Sequence, residues 1–278
     1  MMYLFHEVSQ ECSKITTQKY STSFASAIRL LHKDLRCPIY NIYGFVRFAD
    51  EIVDTFHEHN KQELLREFKN ATYSAIANGI SLNPILHSFQ IAVNQYGIEM
   101  HLIEAFFNSM ECDLNISQYD KGGYDEYIYG SAEVVGLMCL QVFCEGNADQ
   151  FNELKPYAQS LGAAFQKVNF LRDLKADFEG LDRTYFPGCD FDNFTEKDKL
   201  NIEADIEKDF KHAFEGIIRL PLKARFGVYV AYKYYLSLFN KIKRLHANRI
   251  LEERIRIPNY GKVVIVAKAG LRSQFNLL

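Results

Sequence analysis

Tryptophan is absent from this 278-residue sequence, and proline occurs only six times. Proline interrupts helices and cannot join the ladder of a central strand, so its scarcity leaves room for long helices. Asn-Gly turns and alternating strand patterns are also scarce, which argues against a β-rich fold. We expect every proline to lie between helices: Pro38, Pro84, Pro156, Pro187, Pro221 and Pro258.

An excess of positive charge is missing as well. The 32 Lys and Arg residues face 35 Asp and Glu, a net charge of −3, which argues against a dedicated nucleic-acid-binding protein. The longest apolar run, 134–144, is shorter than the ~20 residues that cross a bilayer, and no signal-peptide pattern is visible. The six cysteines form no CxxC pair, so we expect reduced thiols in a cytoplasmic protein.

What the sequence does contain is aromatic residues, 22 Phe and 17 Tyr, and apolar residues at three- and four-residue spacing. That spacing predicts amphipathic helices. Two such stripes are Leu64, Leu65, Phe68, Thr72 and Ile76, and Ile202, Ile206, Phe210, Phe214 and Ile217. The sequence therefore predicts one all-α domain over residues 1–278. Its main loop would be 178–197, and the strand-like stretch 263–267 would belong to a last helix.

Acidic residues interrupt the apolar segment 39–54 at helical spacing. Because successive helical residues turn by about 100°, Tyr43, Arg47, Asp50 and Asp54 fall within about 60° of arc. Asp50 and Asp54 stack one turn apart. Like charges so placed repel by roughly 0.2–0.5 kcal/mol on an exposed helix, and by more when apolar neighbours bury them.

The segment 157–177 carries the same layout. Gln166, Asn169, Asp173 and Asp177 share one face of a helix, within about 80° of arc, and Arg172 lies beside them. One such pattern alone is more typical of a solvated face. Two of them in apolar surroundings, facing each other, would collect oxygen ligands of the kind that Mg²⁺ prefers. The residues therefore predict a Mg²⁺–diphosphate site inside a helical bundle.

At these residues the sequence resembles the phytoene/squalene synthase family, the head-to-head prenyl synthases, from about residue 20 to about residue 258. The matching segments follow the family's order: Tyr20–Phe24, Tyr43–Asp54, Tyr127–Gly130 with Val135–Met138, Gln166–Asp177 and Arg183–Pro187. The resemblance implies a single-domain, all-α isoprenoid-synthase bundle with a central cavity. It is greatest to bacterial phytoene synthases of carotenoid biosynthesis.

The resemblance also implies roles for individual residues. Mg²⁺, or Mn²⁺ in its place, would be held by Asp50, Asp54, Asn169, Asp173 and Asp177. The substrate would contact Tyr20, Ser21, Ser23, Phe24, Tyr43, Arg47, Gln166, Arg172, Tyr185 and Arg249. The catalytic set would be Asp50, Asp54, Asp173, Asp177, Arg47, Tyr43 and Tyr129.

Three positions depart from the family pattern. Glu51 stands where Asp is frequent, a mild change because the outer carboxylates remain. Glu133 stands in a segment where many relatives carry Gly-Thr or Gly-Val, and it would pair with an arginine, bind metal or face outward. Arg249 replaces a substrate-contacting tyrosine of some relatives, and would bind diphosphate or end a solvated basic helix.

The implied reaction joins two geranylgeranyl diphosphates through a cyclopropyl diphosphate to phytoene, without NADPH. The alternatives are a dehydrosqualene or squalene synthase acting on two farnesyl diphosphates, the latter with NADPH, and a non-catalytic helical scaffold. A terpene cyclase is disfavoured because 169–177 lacks the Ser and Glu of that family's second metal motif. The expected partner is a prenyl diphosphate and not nucleic acid. The apolar product suggests peripheral membrane contact, and the oligomeric state stays open.

Overall fold

The computed structural model describes residues 2–115, 119–181, 185–189, 194–251 and 255–274. Within these ranges the chain contains helices and no β-strand, so the predicted all-α fold is confirmed. The helices in chain order are α1 (Met2–Tyr20), α2 (Thr22–Ile28), α3 (Lys33–Asp54), α4 (Lys61–Asn78), α5 (Pro84–Tyr96), α6 (Met100–Asn115), α7 (Lys121–Ile128), α8 (Val134–Cys144), α9 (Ala148–Leu181), α10 (Glu196–Ile217), α11 (Leu222–Lys243), α12 (Ala247–Ile250) and α13 (Asn259–Gln274). A π-helical turn, Tyr129–Glu133, joins α7 to α8.

Local chemistry explains where several of these helices begin and end. The Asn83 side chain accepts hydrogen bonds from the first backbone N–H groups of α5, and Pro84 occupies a position that needs no N–H donor. The same helix ends at Gly97, whose φ of 65° is a left-handed conformation that glycine adopts without strain. Thr195 and Asp198 form a reciprocal capping box at the start of α10.

Two prolines lie inside helices, so the prediction that all of them separate helices was wrong. Pro38 is in α3 and Pro156 is in α9. Each removes one backbone hydrogen bond, and in α3 the packing of the buried Pro38 against the core offsets that loss. The predicted main loop is also shorter than expected, since α9 continues to Leu181 and α10 begins at Glu196. The stretch 263–267 does belong to the last helix.

Two apolar clusters form the core. The first joins α3, α5, α6 and α8 around phenylalanine rings, with Phe45 and Phe89 stacked 3.9 Å apart. The second joins α9, α10 and α11 and includes Phe210 and Phe239. Each such ring contributes roughly 1.5–3 kcal/mol when fully buried. Both predicted stripes face these clusters, through Leu65, Phe68 and Thr72 on α4 and through Ile202, Ile206, Phe210 and Ile217 on α10.

The helical stretch Lys121–Cys144 is, in the described part of the chain, the one segment long and apolar enough to cross a membrane by length and composition. Half of its most apolar window is buried inside the protein. Its residues Ser131, Val135, Cys139 and Phe143 line an internal cavity. We therefore interpret it as a core helix of the bundle.

Candidate active site

A cavity of about 610 Å³ lies between the two apolar clusters. Most of its wall is apolar and comes from α2, α3, α8, α9 and α11, while its charged residues lie mainly in the C-terminal halves of α3 and α9. Most residues that the sequence predicted for the site line this cavity: Tyr20, Ser21, Phe24, Tyr43, Arg47, Asp50, Asp54, Gln166, Asn169, Arg172, Asp173 and Tyr185. The two acidic segments therefore do meet in one cavity.

Helix α3 brings two carboxylates, Asp50 and Asp54, to the cavity wall. Burial raises the pKa of Asp50 to about 8, with further contributions from the negative charges of Asp54 and Asp113, and Arg47 partly opposes the shift. Such a shift means that burial and the neighbouring carboxylates disfavour the charged form of Asp50, and that Arg47 compensates only in part. The arrangement is therefore suited to binding a cation.

Arg47 is held in place from two sides. Its guanidinium pairs with Glu51 one turn along α3 and lies 4.4 Å from the centre of the Tyr20 ring, while Asp50 is 3.8 Å away. Within the described residues its buried Nε atom has no hydrogen-bond acceptor. Glu51 therefore serves to orient Arg47, whose remaining donor capacity suits an anion such as a diphosphate.

Helix α9 supplies the facing polar groups. Arg172 and Asp173 form a two-pronged ion pair, with Arg172 Nε 3.0 Å from an Asp173 oxygen. The Asn169 amide accepts a hydrogen bond from the Tyr235 hydroxyl at 3.3 Å. Gly162 lets this helix approach the π-helical turn closely, because the Cβ atom of any other residue there would lie 2.7 Å from the Ala132 carbonyl oxygen. The side chain of Asp177, the last predicted metal ligand, lies outside the described residues.

Aromatic rings cover the cavity near these polar groups. Phe24 on α2 lies 5.9 Å from Tyr43 and 5.8 Å from Tyr235, and Tyr235 stacks on Phe165 at 3.9 Å. Ser21 begins α2 by accepting a hydrogen bond from the Phe24 backbone N–H. These rings restrict the access of water and present π faces to the cavity.

Tyr127, and not the predicted Tyr129, lies on the cavity wall. Tyr129 packs against the first apolar cluster instead. Tyr127 lies on the four-residue spacing that runs back from Cys139 through Val135 and Ser131, and Tyr129 is off that spacing by about half a turn. That spacing could have been found in the sequence.

The wall also includes acidic and aromatic residues that were not among the predicted site residues, for example Asp113, Tyr127, Phe165 and Tyr235. Asp113 accepts a hydrogen bond from the Tyr127 hydroxyl, whose oxygen lies 2.9 Å from each carboxylate oxygen of Asp113. Two residues that were predicted to contact substrate, Ser23 and Arg249, do not line the cavity, and Arg249 is exposed on α12.

Glu133 also points away from the cavity. Its carboxylate accepts a hydrogen bond from Gln159 at 2.8 Å in a separate pocket of about 270 Å³. Lys167 and Asp209 line the same pocket, and Lys167 donates to Asp209 at 2.7 Å. Of the three possibilities considered for Glu133, this position agrees with a side chain that faces out of the cavity.

The carboxylates of the cavity suit a metal ion that binds together with a diphosphate. Among the described residues, no three acidic, histidine or cysteine side chains converge as a complete metal site. Mg²⁺ usually keeps several waters and binds through one or two carboxylates together with substrate phosphates. The charge of Asp50 and Asp54 and the open donor of Arg47 suit such a metal–diphosphate pair.

The helical bundle and its acidic cavity define an isoprenoid-synthase fold, and solved structures agree. The chain superposes on a dehydrosqualene synthase with a TM-score of 0.85 at 18% identity, covering 97% of this chain and 98% of that one. It superposes on the squalene synthase HpnC from Alicyclobacillus acidocaldarius with a TM-score of 0.75 at 16% identity, covering 86% and 94% of the two chains. The fold prediction is thereby confirmed.

Sequence comparisons identify the family. The model of the squalene/phytoene synthase family matches residues 17–261. Phytoene synthase of Arthrospira platensis is 27% identical over 95% of this chain and 92% of its own length. The 4,4'-diapophytoene synthase of Staphylococcus haemolyticus is 25% identical over 75% of this chain and 70% of its own length.

The chain belongs to the squalene/phytoene synthase family. These enzymes are head-to-head prenyl synthases that bind prenyl diphosphates and generally use a divalent metal to do so.

Proposed function

We propose that this protein condenses two geranylgeranyl diphosphates, with Mg²⁺, to phytoene, and that residues 1–278 act as one catalytic domain. C1 of one substrate loses its diphosphate and bonds to the double bond beside C1 of the other, giving a cyclopropyl diphosphate and a proton. Loss of the second diphosphate, rearrangement and loss of another proton give the C40 product. No NADPH is needed, because no carbon is reduced.

The observation that carries the choice of substrate is the depth of the cavity. Its α9 wall extends from Asn169, beside the acidic residues, to Leu154, 15 residues away, which is about 22 Å at about 1.5 Å per residue. An extended main chain gains roughly 1.2 Å per bond, so a C20 prenyl chain spans about 19 Å and a C15 chain about 14 Å. This depth supports the longer chain, because the shorter one would leave a larger void at the Leu154 end.

The polar residues of the site would bind the diphosphates. Arg47 and Arg172 would contact their oxygens, a task that suits the forked guanidinium. Mg²⁺, held by Asp50, Asp54, Asn169, Asp173 and Asp177, would neutralise the charge that develops on the departing group.

The aromatic residues would protect and stabilise the allylic cation. Phe24, Tyr43, Phe165 and Tyr235 restrict the access of water to the place where the cation forms. Their π faces stabilise positive charge on carbon until the second double bond reacts. No covalent nucleophile is required. This agrees with the wall, whose described lining residues include serine and cysteine but no histidine to activate them.

A second candidate is dehydrosqualene synthase, which joins two farnesyl diphosphates, and the similarity to a 4,4'-diapophytoene synthase favours it. A squalene synthase would add a reduction by NADPH. A non-catalytic scaffold would not need two carboxylates, Asp50 and Asp54, on the cavity wall.

A product assay separates these functions. The purified protein would be incubated with Mg²⁺ and either geranylgeranyl or farnesyl diphosphate, without NADPH, and the organic extract analysed by mass. A C40 product from the first substrate supports the proposal. A C30 product from the second substrate alone supports dehydrosqualene synthase, and a product that requires NADPH supports squalene synthase. Asp50→Asn serves as the inactive control, and no product at all from folded protein favours the scaffold.

A further inference from the structure

Asp113 and Tyr127 form a buried pair at the cavity wall. The Tyr127 hydroxyl lies 2.9 Å from each carboxylate oxygen of Asp113, and the two residues are only 5% and 8% exposed, respectively. They come from different helices, α6 and α7, and both line the cavity. A carboxylate is the strongest acceptor that a phenol meets among protein side chains, and this contact therefore fixes the direction of the hydroxyl.

The ring of Tyr127 is held by aromatic neighbours as well. Its centre lies 5.4 Å from that of Tyr185, 6.1 Å from that of Phe170 and 4.9 Å from that of Tyr119. Phe170 and Tyr185 stack at 4.0 Å and line the same wall. Packing limits where the ring can move, and the hydrogen bond to Asp113 selects its position within those limits.

We propose that Asp113 is a positioning residue, which holds the Tyr127 ring and oxygen against the carbon atoms that become cationic during the reaction. The inference rests on the proposed function. Tyr127 lines the cavity, and because its hydroxyl hydrogen is donated to Asp113, it can act there only through its ring and the lone pairs of its oxygen, which are electron-rich. Burial, followed by the charge of Asp113, raises the pKa of Tyr127 well above its usual range, so the phenol stays protonated and remains a donor.

A competing role for Asp113 is that of an additional metal ligand, because its charge is felt at Asp50. The two roles predict different kinetics. A metal ligand changes the Mg²⁺ concentration needed for half-maximal rate, whereas a positioning residue changes the chemical step at saturating Mg²⁺ and substrate.

The test compares Asp113→Asn, Tyr127→Phe and the double variant with wild type. Each single change should lower kcat about 10- to 100-fold, as expected for a lost hydrogen bond to a carboxylate at the reaction centre, with KM changed less than about threefold. The double variant should fall no further than the worse single variant, because both changes remove the same interaction. The Mg²⁺ requirement should stay as in wild type.

Glu133→Gln is the matched control, since it converts a partly buried carboxylate near the cavity to an amide without touching the wall. Its kcat should stay within about twofold of wild type. The proposal is overturned if Asp113→Asn raises the Mg²⁺ requirement while Tyr127→Phe does not, or if either variant keeps wild-type kcat. Should Asp113→Asn fail to fold, Asp113→Glu, which shifts the carboxylate by one methylene, replaces it with the same expectations.

A spectroscopic measurement keeps this inference separate from the proposed function. Protein labelled with ¹³C at the tyrosine ζ carbon gives a Tyr127 resonance that Tyr127→Phe identifies by its loss. Asp113→Asn should shift that resonance, and Glu133→Gln should not. If wild type turns over neither prenyl diphosphate, the proposed function fails. The spectrum still tests whether Asp113 holds Tyr127, because an unshifted resonance in Asp113→Asn would show that it does not.

Discussion

Ala158 on α9 lies on the cavity wall between the acidic residues and the deep end at Leu154. It is 11 residues from Asn169, about 16 Å along the helix. We expect Ala158→Phe to place a ring across the cavity at that depth. A C15 chain of about 14 Å still fits above the ring, whereas a C20 chain of about 19 Å does not.

The magnitude follows from the part of the chain that is displaced. About one isoprene unit, five carbons, would lose its apolar surroundings, and at roughly 0.8 kcal/mol per buried carbon this amounts to about 4 kcal/mol. The expected loss in kcat/KM for geranylgeranyl diphosphate is therefore up to about a thousandfold, since about 1.4 kcal/mol corresponds to a factor of ten. For farnesyl diphosphate the value should change less than about fivefold.

The assay measures both substrates with the same preparation, so farnesyl diphosphate turnover is the internal control for folding. Thermal unfolding of Ala158→Phe provides a second control, because overpacking costs typically 1–3 kcal/mol. Equal losses with both substrates, or an unchanged rate with geranylgeranyl diphosphate, would refute the argument from depth.

Four further outcomes are expected. Asp50→Asn should abolish turnover without lowering the thermal midpoint, and retained turnover would contradict a metal-binding role. The raised pKa of Asp50, about 8, means that the metal-free protein should lose stability as pH rises from about 4 through 8. This loss should be absent from Asp50→Asn in thermal melts. Glu51→Gln should release Arg47 and raise KM for the diphosphate several-fold, with kcat little changed. Liposome flotation should show binding that Val263→Asp and Val264→Asp together weaken, because both valines are exposed on α13, and a wholly soluble wild type would contradict membrane contact.

The helices and both acidic segments could be predicted because their signals are local. Helical spacing alone places Asp50 and Asp54 on one face of α3, and the structure brings that face to the cavity. Tyr129 was chosen by its place in a motif, whereas Tyr127, which lies on α7 just before the π-helical turn, lines the cavity. Asp113 could not be predicted, because its importance lies in a contact between α6 and α7 that no spacing along the chain reveals.

The charges on the cavity wall predict that a divalent metal ion and a diphosphate strengthen each other's binding. Asp50 and Asp54 repel each other within the wall, and Arg47 relieves this only in part because Glu51 also engages it. A cation that carries a diphosphate neutralises the carboxylates and offers oxygens to Arg47 at the same time, so the two ligands should bind cooperatively. We expect the affinity for inorganic diphosphate to rise at least about tenfold when Mg²⁺ is present, which corresponds to about 1.4 kcal/mol of coupling. Calorimetric titration with diphosphate, with and without Mg²⁺, measures this coupling directly. Equal affinities would mean that the carboxylates of α3 do not hold the ion.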